Sequence, residues 1–324
     1  MEKVKVGVIG VGYFGQFHAE KYSRMEHVEL VGVADIDVSR ARAVAQECRT
    51  QAFSHHTEIL DRVQAVSIAV PTPLHHSIAK DFLVRGIDVL LEKPISCTLE
   101  EADELIELSE SKGIIFQVGH LERFNGALLA LEGRIRNPLF IEANRLSPLL
   151  KRATDVDVVL DLMIHDIDIT FSWVASKVKG IHAVGAPILT PTLDFADVRM
   201  EFENGCTAHL TASRVSREKS RKARVFQPNG YFSIDFVSQK VSFSEKRFHP
   251  DRMDEAEIVT EEIPAEKVDS LEAEVRAFLR SVRERGKVRV SGRDGRRALE
   301  TALQIVRTIK DVLADNEAWG RRNG

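Results

Sequence analysis

The sequence of 324 residues has few cysteines and no long apolar run. Its three cysteines, Cys48, Cys97 and Cys206, are odd in number and widely spaced, which predicts neither a disulfide framework nor a thiolate metal cluster. No segment approaches the roughly 18 uninterrupted apolar residues of a membrane helix. The first residues enter a strand pattern at once and lack the anatomy of a signal peptide. We therefore expect a cytoplasmic protein.

An excess of one charge is also absent, since 45 Lys and Arg face 49 Asp and Glu for a net charge of −4. A nucleic-acid binder usually has a strongly basic domain, so we expect no nucleic-acid partner and no membrane partner. Glycine and proline number 19 and 10, too few for a collagen-like or low-complexity chain. At about 150 residues per domain, the length predicts two globular domains.

Two kinds of segment alternate over residues 1–120. Short runs that are almost entirely apolar are typical of parallel strands whose two faces are both covered by helices. The segments between these runs have helical apolar spacing, and each supplies the crossover that neighbouring parallel strands need. The pattern therefore predicts an α/β domain over residues 1–120. Its predicted strands are Val4–Ile9, Glu29–Ala34, Ala65–Val70, Asp88–Leu91 and Ile114–Val118.

The pattern changes over residues 121–324. A long helix is predicted from about Asp155 to Val174, and strand-like runs separated by turn signals fill residues 180–263. Two helices close the chain. These features predict an α+β domain around a large, mostly antiparallel open sheet. Because such a sheet leaves a face and edges to cover, we expect a homodimer or homotetramer formed through this second domain.

A glycine-rich turn follows the first predicted strand and leads into a helix, with the sequence Gly-Val-Gly-Tyr-Phe-Gly over residues 10–15. In this setting the glycines permit a tight turn and let a pyrophosphate approach the helix N-terminus. Asp35 ends the second strand about 20 residues later, where an acid binds ribose hydroxyls and repels a 2′-phosphate. The alternative is a glycine-rich turn with an incidental acid. We predict a Rossmann domain that binds NAD through Gly10, Gly12, Tyr13, Phe14, Gly15 and Asp35.

Two further motifs carry a family resemblance: Glu92-Lys93-Pro94 after a predicted strand, and Asp161 with His165 in the second half. Together with the loop of residues 70–75 and Gly119-His120, they resemble the glucose–fructose oxidoreductase, inositol dehydrogenase and MocA family over essentially the whole chain. The resemblance implies a Rossmann domain followed by a substrate domain whose open sheet serves oligomerisation. Similar proteins often have a cis peptide at the Lys-Pro step. The resemblance also places Pro71, Thr72, His75, Glu92 and Lys93 in the cofactor site.

Lys93, Asp161 and His165 are the predicted catalytic residues. Lys93 lies just past the carboxyl end of a parallel strand, where it can stabilise an alkoxide, and its alternative is an ordinary surface lysine. Asp161 and His165 are four residues apart on a predicted helix and share a face. The imidazole is suited to accept a proton, and Asp161 can orient it or bind a substrate hydroxyl.

Two alternatives apply to the pair of Asp161 and His165. One is a solvated helix face, and the other is a metal site completed by Asp168 on the same face. We expect no metal, since no other histidine or cysteine has ligand-like spacing and hydride transfer to a nicotinamide needs none.

The segment between the domains offers His120, Arg123 and Asn125 as substrate ligands, with hinge packing and a helix cap as the alternative. A basic run over residues 214–224 is read as a solvated sheet edge or, alternatively, as a site for an anionic substrate.

The sequence thus predicts an NAD-dependent oxidoreductase acting on a secondary hydroxyl of a sugar or nucleotide sugar. Residues 145–148 and the following Asp161 segment look most like family members that oxidise the 3-hydroxyl of UDP-N-acetylglucosamine. Alternatives are an inositol or free-sugar dehydrogenase, a carbonyl reductase, and a non-catalytic NAD(P)-binding regulator. A regulator would be expected to lose the lysine and the aspartate–histidine pair, which are all present.

Overall fold

The computed structural model describes residues 3–149, 156–249 and 252–323. Its strands, in chain order, are β1 Val4–Ile9, β2 Val28–Ala34, β3 Gln51–Phe53, β4 Ala65–Ile68, β5 Asp88–Glu92, β6 Phe116–Gly119, β7 Phe140–Leu146, β8 Val178–Ala186, β9 Phe195–Phe202, β10 Thr207–Ser213, β11 Ser220–Gln227, β12 Gly230–Asp235, β13 Lys240–His249 and β14 Arg252–Ile263. Its α-helices are α1 Gly15–Ser23, α2 Val38–Cys48, α3 His75–Val84, α4 Leu99–Lys112, α5 Gly126–Leu129, α6 Ile164–Trp173, α7 Ser270–Glu284 and α8 Gly292–Asn323.

The chain divides into two compact units. Unit 1 comprises Met1–Phe124 and Asp269–Leu299, and unit 2 comprises Asn125–Val268 and Glu300–Gly324. The division predicted from sequence, 1–120 and 121–324, differs because it placed residues 269–299 in the second domain. These residues return to unit 1, where α7 contributes apolar side chains such as Val275 and Phe278 to the same core as β1.

Unit 1 is a six-stranded parallel sheet in the order β3-β2-β1-β4-β5-β6. The strands β1, β4 and β5 are apolar and buried along most of their length because helices cover both faces of the sheet. The strand order steps outward from β1 in both directions. Ligands of such sheets therefore bind at the carboxyl ends of β1 and β4, where the order reverses. The predicted Rossmann architecture is confirmed. The short strand β3 was not predicted, because its three residues are too few to show a pattern.

Unit 2 contains an eight-stranded sheet in the order β14-β13-β12-β11-β7-β10-β9-β8. All neighbouring strands are antiparallel except β7 and β10, which run parallel. The buried positions alternate along β9, as expected for a sheet with one covered face. The predicted mostly antiparallel sheet is confirmed. No helix in the described ranges has the length and apolar content needed to span a membrane.

The basic run of residues 214–224 does not lie at a sheet edge. Much of it forms β11, which pairs with β7 on one side and β12 on the other. Arg224 pairs across the strands with Glu142, while Arg214 is buried and lies 3.5 Å from a carboxylate oxygen of Asp194. The prediction of an edge strand is therefore wrong, because alternating cations on the open face of an interior strand give the same pattern.

The helix predicted from about Asp155 to Val174 is interrupted. A π-helical turn covers Val159–Met163 and continues into α6, whereas Asp155 lies outside the described residues. Asp157 accepts a hydrogen bond from the backbone N–H of Leu193 at 2.9 Å, which ties the start of this segment to the loop before β9.

Candidate active site

The glycine turn after β1 shows why three glycines are needed. Gly10 has a φ of +78°, and a Cβ there would lie 2.6 Å from the carbonyl oxygen of Ala69. A Cβ on Gly15 would lie 1.7 Å from the carbonyl oxygen of Gly10, so this glycine lets α1 start against the strand. A Cβ on Gly12 would meet Arg40 at 3.6 Å and nothing nearer. Gly10 and Gly15 therefore serve the turn, whereas Gly12 leaves space beside the turn for a ligand.

Asp35 connects the glycine turn to the end of β2. Its buried carboxylate accepts hydrogen bonds from the backbone N–H groups of Val11 and Asp37, both at 2.9 Å. Asp37 caps α2 by accepting from the N–H of Arg40. A guanidinium nitrogen of Arg40 lies 3.5 Å from Asp35. The acid that would bind a ribose hydroxyl is thus fixed in place, with a cation beside it that could meet a 2′-phosphate.

Two aromatic residues of the turn, Tyr13 and Phe14, are partly exposed. Their rings meet edge to face with centroids 5.2 Å apart, and Tyr13 makes the same contact with Phe17 at 5.6 Å. The three side chains form an apolar surface beside the turn. Such a surface suits contact with a planar ligand or with another chain.

His75 joins the loops that follow β4 and β5. Its Nδ1 lies 2.8 Å from the carbonyl oxygen of Pro94, and its Nε2 lies 2.9 Å from that of Val70. The ring is 1% exposed, and burial lowers the pKa of His75 despite these contacts. Both nitrogens therefore face backbone carbonyl oxygens, and His75 links the two loops. Pro71 and Thr72 begin the 3₁₀ turn that leads into α3.

The Glu92-Lys93-Pro94 segment stands at the carboxyl end of β5. The peptide between Lys93 and Pro94 is cis, as the resemblance implied. Glu92 accepts hydrogen bonds from His18 Nε2 at 3.1 Å and from the backbone N–H of Lys93 at 3.3 Å. Burial opposes ionisation of Glu92, but the hydrogen bond from His18 and the charge of Lys93 outweigh it and hold the pKa of Glu92 below its ordinary value. Lys93 therefore follows a carboxylate that stays ionised.

His120 leaves the neighbouring strand at the same edge of the sheet. Glu92 pairs with Gly119, so Lys93 and His120 are the next residues on adjacent parallel strands. His120 is buried, and burial together with the charges of Lys93 and Arg123 lowers its pKa to about 3. At neutral pH the imidazole is uncharged and can donate one hydrogen bond and accept another. Within unit 1, the charges of Lys93 and Arg123 therefore both act on the imidazole of His120.

Asn125, at the start of unit 2, uses its side chain locally. Its Oδ1 accepts from the N–H of Ala127 at 3.0 Å and caps α5, while its Nδ2 donates to the carbonyl oxygen of Phe236 at 2.9 Å. The residue is buried. This is the helix-cap role that the sequence left as the alternative to substrate binding.

Asp161 and His165 lie on either side of a junction between helix types in unit 2. Asp161 is in the π-helical turn, and His165 is the second residue of α6. Both are partly exposed, whereas Asp166 and Asp168 are buried. The sequence predicted that Asp161 and His165 lie on one continuous α-helix, and this prediction is wrong because a π-helical turn precedes α6. Such turns are frequent at functional sites. In the described residues, Asp161, His165 and Asp168 do not form a set of donor atoms suited to a metal ion.

A buried ion pair fixes α6 beside His165. The guanidinium of Arg145, on β7, donates through Nε and Nη2 to the two oxygens of Asp166, each at 2.8 Å. Arg145 is 1% exposed and Asp166 is 4% exposed. The forked geometry holds the first turn of α6, and with it the backbone of His165, at a set position on the sheet.

Residues 4–120 match the oxidoreductase family with an NAD-binding Rossmann fold that is named GFO_IDH_MocA, and residues 124–233 match the C-terminal domain of that family. UDP-N-acetylglucosamine 3-dehydrogenase of Acidithiobacillus ferrooxidans is 36% identical over 319 residues, which cover 97% of this chain and 99% of that protein. The chain belongs to the Gfo/Idh/MocA family. It is an oxidoreductase with the NAD-binding domain of that family.

Solved structures agree with this membership. The structure of the Acidithiobacillus ferrooxidans UDP-N-acetylglucosamine 3-dehydrogenase has a TM-score of 0.90, with 96% of this chain and 99% of that chain covered. A scyllo-inositol dehydrogenase from Lactobacillus casei, solved with NAD(H) and scyllo-inositol, has a TM-score of 0.80 over 96% of this chain at 20% identity, a likeness of fold. An inositol 2-dehydrogenase of Rubrobacter xylanophilus is 31% identical, over 57% of this chain and 56% of that protein.

Sequence reasoning missed a buried polar cluster behind Glu92. His18 of α1 and Glu274 of α7 bring side-chain nitrogen and oxygen atoms close to the Glu92 carboxylate. No motif signals them, because His18 is one polar residue on a short helix and Glu274 is one acid on a helix rich in charge. Only the return of α7 to unit 1 shows that Glu274 points into the core.

Proposed function

We propose that this member of the Gfo/Idh/MocA family is an NAD-dependent dehydrogenase that oxidises the 3-hydroxyl of UDP-N-acetylglucosamine. The observation that supports this substrate is likeness over the full length, 36% identity over 97% of the chain with a TM-score of 0.90. The alternative substrate class, a cyclitol or free sugar, rests on inositol dehydrogenases that match a shorter part of the chain.

The cofactor residues in this proposal are those of the glycine turn and the loops after β4 and β5. The space at Gly12 and the fixed carboxylate of Asp35 fit the pyrophosphate and the adenosine ribose of NAD. Tyr13, Phe14, Pro71 and Thr72 border the same edge of the sheet, and Glu92 and His75 support it from behind. NAD, when bound, supplies the acceptor for a hydride.

The chemistry in this proposal is divided among three side chains. An imidazole nitrogen of His165 takes the proton of the sugar hydroxyl while the hydrogen on the same carbon leaves as hydride, so that the alcohol becomes a ketone. The ammonium of Lys93 stabilises the negative charge that develops on the oxygen. Asp161 orients the imidazole and favours its protonated form. His120 and Arg123 bind the substrate.

Formation of NADH provides the direct test. We expect the purified protein to reduce NAD⁺ with UDP-N-acetylglucosamine at a kcat/KM at least about tenfold above that with myo-inositol or free N-acetylglucosamine, because a site built for a nucleotide sugar uses contacts to the nucleotide. Equal or better turnover of myo-inositol would assign the chain to the cyclitol class.

Variants test the catalytic assignment. Lys93→Met and His165→Ala should each lower kcat by at least about a hundredfold while the protein still binds NAD⁺. The controls are Lys5→Met and His182→Ala, which change exposed residues of the same two units. Retained turnover in the first two variants would refute the assignment, and circular dichroism spectra that match the wild type show that both variants are folded.

We also propose that the protein is a cytoplasmic homodimer or homotetramer formed through the sheet of unit 2. Exposed apolar side chains on that unit support the assembly, among them Val184 and the 78% exposed Ile258. Three free cysteines in the described residues fit a reducing compartment. Light scattering coupled to size-exclusion chromatography measures the mass, and a monomer at micromolar concentration would contradict the assembly.

A further inference from the structure

A buried polar cluster lies directly behind the segment that carries Lys93. It consists of His18 on α1, Glu92 at the end of β5 and Glu274 on α7, and one side-chain nitrogen or oxygen atom of each lies within 4.8 Å of those of the other two. His18 is 1% exposed and Glu274 is fully buried. All three residues belong to unit 1. Two acids and an imidazole so close together, out of water, require a definite arrangement of protons.

The hydrogen bonds around His18 assign most of these protons. The hydroxyls of Tyr22 and Ser67 lie 2.7 Å apart, Ser67 Oγ lies 3.2 Å from His18 Nδ1, and His18 Nε2 lies 3.1 Å from Glu92. Burial raises the pKa of Tyr22, so the phenol remains a donor. When Tyr22 donates to Ser67 and Ser67 donates to Nδ1, the proton on Nε2 is left to donate to Glu92. This series of hydrogen bonds uses every donor once and directs an N–H of His18 at an ionised Glu92.

Glu274 is the remaining member of the cluster, and the series of hydrogen bonds from Tyr22 to Glu92 does not include it. Within the described ranges, no N–H or O–H group donates a hydrogen bond to either of its buried carboxyl oxygens. Gln117 approaches at 3.5 Å but donates to the backbone carbonyl of Glu274, not to the carboxyl group. A charged carboxylate without donors, beside a second carboxylate, is strongly disfavoured in a protein interior. Burial and the charge of Glu92 both raise the pKa of Glu274.

The elements packed against α7 supply no cation to Glu274 that the structure resolves. These elements are α1, β5 and the turn of residues 121–124. Lys21 is engaged with Asp269, and Asp88 is engaged with Arg285. Glu92 is the charged group that acts on Glu274. The titratable and charged side chains on these elements and on α7 itself are His18, Glu20, Lys21, Tyr22, Asp88, Glu92, Glu122, Arg123, Glu272, Arg276, Arg280, Arg283 and Glu284.

One imidazole and two carboxylates are also a donor set that divalent metals use. A metal would need an unprotonated nitrogen of His18 directed at it. In this cluster both nitrogens already take part in hydrogen bonds, with Ser67 and with Glu92. The geometry therefore favours protons over a metal ion.

We propose that Glu274 is a positioning residue that acts through Glu92 on Lys93: as a neutral carboxylic acid it donates its proton toward the Glu92 carboxylate and keeps the buried cluster at one negative charge. The consequence for Lys93 rests on the proposed function. With one carboxylate behind it, the ammonium is attracted toward β5 by a single negative charge while it acts on the substrate hydroxyl. A second charge would draw the ammonium back toward β5, and loss of the acid would leave Glu92 with one donor fewer.

The proton on Glu274 can be tested without any turnover. Above the ordinary glutamate pKa of about 4.5, the unfolded chain releases this proton and the folded protein keeps it, so stability falls as pH rises. Between pH 5 and the pKa of the folded state, the unfolding equilibrium constant of the wild type should rise about tenfold per pH unit relative to that of Glu274→Gln. Glu272→Gln, which changes a partly exposed acid on the same helix, should follow the wild type.

Urea unfolding at pH 5, 6, 7 and 8 measures this difference. Circular dichroism reports both units, and tryptophan fluorescence reports unit 2, because the two tryptophans, Trp173 and Trp319, both belong to it. The change should appear in the dichroism transition of unit 1. Parallel pH dependence of wild type and Glu274→Gln would overturn the proposal. So would one equivalent of a divalent metal that is present in the purified wild type and missing from Glu274→Gln.

The positioning role is tested by two substitutions that differ in hydrogen bonding. Glu274→Leu preserves much of the volume but cannot donate, and it should lower kcat by about tenfold or more with little change in the Kd for NAD⁺. Glu274→Gln still donates from its amide and should restore most of that loss. Equal kcat in wild type and Glu274→Leu would overturn the role. If the wild type oxidises no sugar substrate, the proposed function fails, while the unfolding comparison still decides the proton on Glu274.

Discussion

The ion pair between Arg145 and Asp166 offers the sharpest test of how α6 is held beside His165. Both side chains are buried and joined by two hydrogen bonds of 2.8 Å. Breaking such a pair by removing one partner typically costs about 3–5 kcal/mol, because the other charge stays buried without its counterion. Arg145→Met strands the carboxylate, and Asp166→Asn strands the guanidinium. We expect each substitution to lower the free energy of unfolding of unit 2 by about that amount.

The double variant separates the loss of an interaction from the cost of a stranded charge. In Arg145→Met with Asp166→Asn no charge remains buried, so the double variant should be no less stable than either single variant. The expected coupling energy is therefore about 3 kcal/mol or more, well above the roughly 0.5 kcal/mol within which independent sites add. Since a domain has about 5–15 kcal/mol in all, the single variants should remain folded but unfold at clearly lower urea concentration.

Urea unfolding at pH 7, followed by tryptophan fluorescence, measures these energies in the relevant unit. Trp173 ends α6 and belongs to unit 2, as does Trp319. The matched control is the cross-strand pair of Arg224 and Glu142, which is largely exposed and should show a coupling of at most about 1 kcal/mol. Additive losses at Arg145 and Asp166 would refute the reasoning, because they would mean that neither charge depends on the other.

Two further predictions concern charge elsewhere in the chain. Asp194 is fully buried, and hydrogen bonds from Thr190 and from the backbone N–H groups of residues 188–190 outweigh burial and lower its pKa from 3.8 to about 2. The ionised Asp194 should stabilise the fold by about 2 kcal/mol above pH 4, and this stabilisation is lost as pH falls through about 2. The stability deficit of Asp194→Asn should therefore shrink between pH 7 and pH 3. A constant deficit in urea unfolding would contradict this prediction. Asp35→Asn should raise the ratio of kcat/KM for NADP⁺ to that for NAD⁺ at least about tenfold, because Arg40 then meets the 2′-phosphate without the acid, and adding Arg40→Ala should reverse the gain. An unchanged ratio in steady-state assays would show that Asp35 does not select the cofactor.

The parts of the fold that the sequence predicts well are those whose patterns are local. β1 has the predicted bounds, Val4–Ile9, because its apolar residues are buried on both faces of the sheet. The pattern failed where strands are exposed. β13 continues to His249, well past its apolar start, because the backbone pairing with β14 tolerates charged side chains on an open face.

The candidate site was predicted to the extent that it follows strand ends. The glycine turn, Asp35 and Lys93 all come directly after parallel strands, and the carboxyl ends of parallel strands share one edge of the sheet. The Arg145–Asp166 pair and Glu274 could not be predicted in this way. Each depends on contacts between elements far apart in sequence, and charged residues on amphipathic elements usually face solvent, so residue type alone points the wrong way.

His75 and Asn125 show a different reason why a motif does not fix a role. Both were predicted to contact ligands, and in the structure both also contact the backbone, His75 at the carbonyls of two loops and Asn125 at a helix cap and the carbonyl of Phe236. Loops beside a binding edge lack the regular hydrogen bonds of helices and strands, and buried backbone groups there still require partners. A polar side chain in such a loop is thus recruited by the backbone before any ligand arrives. Lys93 directly follows β5, where its neighbours are the Glu92 carboxylate, whose pKa is lowered, and the His120 imidazole, which is uncharged at neutral pH.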